Sequence, residues 1–183
     1  MAYINVPEGV SGIRSLVLFR PETGKPLYEL AQVLLRGESP LTPAERELIA
    51  THVSSRNNCV FCMSSHAAAA RELFGEQRNL VDCVIEDGTQ APVSPKMKAL
   101  LNIAGKVQQS GKAVTEEDVA EARRQGASNR DIHDTVLIAA AFSMFNRYVD
   151  GLASFTPTDS KAYEEMGQRM ATLGYVLPKP VKN

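Results

Sequence analysis

The chain has 183 residues, 44% of them hydrophobic and 22% charged. That composition excludes a disordered chain and supplies a core large enough to fold without disulfide staples. Twenty Lys and Arg against twenty-one Asp and Glu give a net charge of −1, so no basic field exists to hold nucleic acid or an anionic membrane.

Residues 1–12, MAYINVPEGVSG, carry neither a charged n-region nor an apolar h-region. No signal peptide is expected there, and a cytoplasmic location is. No apolar run approaches the ~20 residues a membrane span needs. Residues 1–25 hold Pro7, Pro21 and several turn signals and are expected to form an extended N-terminal arm. Leu16 to Phe19 is one of few short runs that suit a strand.

Helices are expected at 26–36, 42–55, 59–74, 77–86, 94–110, 116–125, 128–153 and 159–173. Thr42-Pro43-Ala44-Glu45 is a capping box with Pro at the first helical position. Ser94-Pro95 repeats the cap-and-Pro start, and Thr115 and Ser128 each stand three residues before an acid. Met97, Leu100, Leu101, Ala104 and Val107 recur at the spacing of one helical face. Gly75, Gly111 and Gly126 sit where helices should stop. Ala67 to Ala70 is a run of small residues that lets another helix approach closely. Residues 176–183 contain two prolines and are expected to be an irregular tail. The chain thus reads as one all-α domain over 26–175, flanked by arm and tail.

The three cysteines are Cys59, Cys62 and Cys83. An odd count in a chain with a large core reads as reactive thiols, a metal site or buried small residues. Cys83, among Val81, Val84 and Ile85, reads as buried and inert. The informative stretch is Cys59-Val60-Phe61-Cys62-Met63-Ser64-Ser65-His66. A helix capped by Asn57 or Asn58 would place Cys59, Cys62 and His66 within about 60° of one face. Unpaired N–H groups at the helix start favour a thiolate. Cys59 gains most from the helix dipole, and Cys62 gains from His66 as base or hydrogen-bond partner. Spacing does not choose the nucleophile between them.

In one continuous helix Glu47 would lie about 18 Å from Cys59. The segment Ser54-Ser55-Arg56-Asn57-Asn58 is a poor helix interior, so a turn is expected there. Folding back at that turn would let Glu47 meet His66, giving a carboxylate–imidazole–thiol relay. A zinc site is the alternative, with His52 or His133 as fourth ligand. Arg56 lies near the presumed site, and Arg147 and Asp150 have the spacing of a helical ion pair.

Glu47, Cys59, Cys62 and His66 at these spacings resemble the active-site pattern of the alkylhydroperoxidase D (AhpD) family, grouped with the carboxymuconolactone decarboxylases. Glu45 to Ala50, Ser55 to Cys59 and Phe145 to Asp150 resemble the peroxidase-related subgroup. The resemblance implies an AhpD-like helical bundle and a thiol-dependent peroxidase that needs neither metal nor flavin. It implies that Cys62 attacks the peroxide, that Cys59 closes a redox disulfide with it, and that His66 and Glu47 shuttle the proton. It implies an organic hydroperoxide as substrate, a dithiol, lipoyl or thioredoxin-like reductant, and a homo-oligomer, trimeric or hexameric. One position departs from the founding peroxidase: Phe61 stands where that protein has a histidine. The same pocket would also suit decarboxylase-type acid–base work, and a redox-sensing or zinc-binding oligomer is the non-enzymatic alternative.

Overall fold

The computed structural model describes residues 2–177, and among them every regular element is helical. The helices are α1 (Ile13–Phe19), α2 (Pro21–Arg36), α3 (Pro43–Arg56), α4 (Val60–Phe74), α5 (Asn79–Asp87), α6 (Pro95–Gln109), α7 (Glu116–Arg124), α8 (Asn129–Gly151) and α9 (Ser160–Leu173). Short 3-10 turns at Gly75–Gln77 and Gly111–Ala113 link α4 to α5 and α6 to α7.

The starts follow the sequence signals. Thr42, Thr115 and Ser128 each close a reciprocal capping box, with Glu45, Asp118 and Asp131. Ser94 accepts from the Met97 N–H. Each such cap satisfies otherwise unpaired donors and stabilises its helix by about 1 kcal/mol.

The expected arm over residues 1–25 is a correction. Among the described residues of this span, those before Ile13 and the linking Arg20 are irregular; the rest forms α1 and the start of α2. Leu16 to Phe19 is helical, with Leu16 and Val17 buried. Pro21 does not break structure because it occupies the first position of α2, where its missing N–H costs nothing. Pro26 falls in the second turn of the same helix. Of the expected tail, Val176 and Leu177 are irregular and exposed, and 178–183 lie outside the described residues.

Helix α3 is the axis of the domain. Every residue from Ala44 to Ser54 except Glu45 is buried, including the charged Arg46 and Glu47. Helices α4, α6 and α8 enclose it. Leu48, Ile49 and Val53 of α3 join Leu100, Ile103, Ile138 and Phe142 in the core. The alanine run of α4 accepts α9 at close range. A Cβ added to Gly167 would come within 2.7 Å of Ala68. No helix among the described residues is long and apolar enough to cross a membrane.

Candidate active site

Helices α3 and α4 form an antiparallel hairpin whose turn is Asn57-Asn58. Asn57 ends α3, and Asn58 adopts φ +55°, a left-handed conformation Asn tolerates better than most residues. The expected cap is corrected by this turn. Cys59, not Asn57 or Asn58, is the N-cap of α4. The Cys59 N–H donates to the Ser54 carbonyl at 3.1 Å, and its own carbonyl accepts from Met63 at 2.9 Å. Cys59 therefore sits outside the helix proper, while Cys62 lies in its first turn.

The hairpin brings Glu47 to His66. His66 Nδ1 lies 2.7 Å from Glu47 Oε2. Glu47 is wholly buried, and its second oxygen is also used. Arg36 donates to Oε1 at 2.6 Å, and the Tyr175 hydroxyl donates to the same oxygen at 2.6 Å. That hydroxyl is also 3.1 Å from His66 Nδ1. Arg36 is held in turn by the Leu35 and Met170 carbonyls. The His66 ring stacks on Tyr175 and meets the edge of Phe142, with centroids 6.0 and 4.6 Å apart.

The charges follow from these contacts. Burial alone would raise the Glu47 pKa. The charge and hydrogen bond of His66, the Arg36 guanidinium and the Tyr175 hydroxyl outweigh it and hold the carboxyl below its ordinary value. Tyr175 is pushed the other way, by burial and then by the neighbouring carboxylate, so its hydroxyl stays protonated as a donor.

Both site cysteines are free and buried. Cys59 is 0% exposed and Cys62 is 4% exposed. Cys62, Ser65 and His66 line a cavity of about 60 Å³, and Cys59 does not. Its other walls include Phe61, Phe142, Phe145, Met166 and Met170. The Cys59 thiol is pushed up, first by its hydrogen bond with Cys62, then by burial and by charge on Cys62. Cys59 is thus held in its protonated form.

Phe61, the departure from the founding pattern, is buried against the N-terminal segment. A Cβ on Gly12 would fall 2.0 Å from its ring. Tyr175, from the far end of the chain, brings its hydroxyl beside Glu47 and His66. Arg36 and Tyr175 were not expected as partners of Glu47. Neither carries a motif, and they reach it across 11 and 128 residues.

The remaining candidates lie elsewhere. His52 lines a separate polar cavity with Arg56, Gly88 and Gly105, where burial and then the Arg56 charge push its pKa down to about 4. His133 pairs with Asp134 at 2.9 Å. Neither reaches the cysteines, and among the described residues no three His, Cys, Asp or Glu side chains are grouped to hold a metal ion. Arg147 donates to the Ser143 carbonyl rather than to Asp150. Cys83 is half-buried, not fully buried as expected, because it packs at the edge of the core.

Comparisons with known proteins agree with this architecture. Residues 21–106 match the model of the carboxymuconolactone decarboxylase family. An uncharacterised peroxidase-related protein from Silicibacter sp. TM1040 superposes with a TM-score of 0.75 at 29% identity, over 83% of this chain and 78% of that one. The alkylhydroperoxidase AhpD core of an uncharacterised peroxidase-related protein from Ralstonia eutropha JMP134 gives 0.77 at 25% identity, over 87% and 82%. A protein of unknown function from Agrobacterium tumefaciens shares the fold, with a TM-score of 0.66 at 21% identity over 87% and 100%. None of the curated proteins matches the chain. Family match and shared architecture converge: residues 21–106 are similar to the carboxymuconolactone decarboxylase family, and the chain has an all-α, AhpD-like fold.

Proposed function

We propose that the protein is a thiol-dependent peroxidase that reduces organic hydroperoxides through Cys62 and Cys59. The observation that carries this reading is the shared cavity: Cys62 and His66 line it together, and His66 is backed by the ionised, buried Glu47. An imidazole whose Nδ1–H donates to Glu47 presents Nε2 as a proton acceptor. It would take the Cys62 thiol proton. The thiolate attacks the terminal peroxide oxygen, the O–O bond breaks, and the proton returns to the departing alkoxide as alcohol. Cys62 is left as a sulfenic acid. The Cys59 sulfur then attacks the Cys62 sulfur, water leaves, and a disulfide forms. An external dithiol, of lipoyl or thioredoxin-like type, supplies two electrons and two protons to restore the thiols.

Thiol counting tests this directly. The reduced protein, given one equivalent of an organic hydroperoxide, should lose two of its three thiols and show a Cys59–Cys62 bridge by mass. In Cys59→Ser the sulfenic acid should persist and react with dimedone. Survival of all three thiols would overturn the reading. The family match favours one rival, acid–base chemistry of the decarboxylase type in the same pocket. That rival requires an activity that survives Cys62→Ser.

A further inference from the structure

The cavity that Cys62 lines is also lined by charged residues that nothing above uses. Arg14 of α1 and Arg169 of α9 both line it, as does Tyr28 of α2. All three residues can donate hydrogen bonds, and no acidic side chain lines the cavity with them. Arg14 Nε is buried without a hydrogen-bond partner. Among the described residues, neither arginine forms an ion pair with any Asp or Glu.

Two half-buried arginines on one cavity, with no acid paired to either among the described residues, disfavour one another. The mutual influence is visible in the titration of the group: burial and then the Arg14 charge lower the Arg169 pKa. Tyr28 is raised by burial while both arginines pull it down, so its hydroxyl lies within the field of each. Such an arrangement is relieved by a compact anion, which accepts from both guanidinium forks.

We propose that Arg14, Arg169 and Tyr28 form a carboxylate-binding wall, which selects small amphipathic substrates that present an anionic end there and their reacting group at Cys62. The cavity of about 60 Å³ matches a short chain rather than a bulky one. This inference rests on the reading of Cys62 as the reacting thiol.

Two alkylating reagents of nearly equal size test it without any peroxide. Iodoacetate carries a carboxylate and iodoacetamide does not; each forms an S–C bond as iodide leaves. Modification of Cys62 in the reduced protein is followed by peptide mass. Iodoacetate should react at least as fast as iodoacetamide in the wild type. In Arg14→Met/Arg169→Met it should slow by about tenfold, with the iodoacetamide rate within about twofold. An unchanged ratio would overturn the proposal. Protection of wild-type Cys62 from iodoacetamide provides a second test that needs no variant. Butanoate should protect and butanamide should not, and equal protection would also overturn it. Charge selectivity without thiol loss to a hydroperoxide would keep this site and remove the peroxidase reading; thiol loss without selectivity would do the reverse.

Discussion

Glu47 shows how much of this site depends on one side chain. A wholly buried carboxylate persists only because it accepts from His66, Arg36 and Tyr175 together. Glu47→Gln removes the charge but leaves the Arg36 guanidinium buried without its partner. It should destabilise the fold by about 3 kcal/mol in urea denaturation. Because the folded-state pKa is lowered, the carboxylate's contribution is full above its ordinary value of 4.5 and is lost as pH falls through the lower folded value. The gap between wild type and Glu47→Gln should therefore narrow in acid. Tyr175→Phe deletes a single donor and keeps the ring on His66. It should cost about 1–2 kcal/mol and slow the reaction of Cys62 with hydroperoxide, measured by stopped-flow thiol loss.

Among the elements, α4 is the piece on which site and core meet. One face carries Cys62, Ser65 and His66, and its alanine run receives α9. Gly167→Ala would drive a methyl group into the α4 backbone at Ala68. It should lower the unfolding free energy by about 1–3 kcal/mol, read as a fall in Tm. That close approach was legible from Ala67 to Ala70 alone. So was the α3–α4 hairpin, since the serines and asparagines around Arg56 make a poor helix interior between two apolar stretches, and with it the meeting of Glu47 and His66. The start of α4 was misread by one residue because Asn58 prefers the left-handed turn to the cap, which moved Cys59 off the helix face. Arm and site partners were less legible for a different reason. Pro21 signals a helix start as readily as a break. Arg14, Arg36, Arg169 and Tyr175 gain their meaning only from tertiary neighbours that no local pattern encodes.

Across the whole molecule, acid should act through His52. It is buried and neutral, with its pKa lowered to about 4 from an ordinary 6.5. The unfolded chain binds that proton first, so its contribution to stability is full above pH 6.5 and is lost as pH falls toward 4. The loss amounts to at most about 3 kcal/mol. Replacing His52 with a residue that does not titrate should flatten the fall of Tm across that interval. The closure of the cavity is also a property of the entire chain. Gly12 abuts Phe61, the Gly12 N–H donates to the Phe155 carbonyl, and Tyr175 bonds back to Gln32 through its own N–H. Cys59, Cys62, His66, Glu47, Arg36 and Tyr28 fall inside the family segment 21–106, whereas Arg14, Phe142, Phe145, Met166, Arg169 and Tyr175 fall outside it. The two site cysteines, His66 and Glu47 thus fall in one stretch of the polypeptide, and much of the cavity wall around them, though not Tyr28 or Phe61, comes from its flanks. Grafting the flanks of a relative onto this segment should change what the pocket admits while leaving the proposed reaction of Cys62 with hydroperoxide in place, as followed by thiol loss.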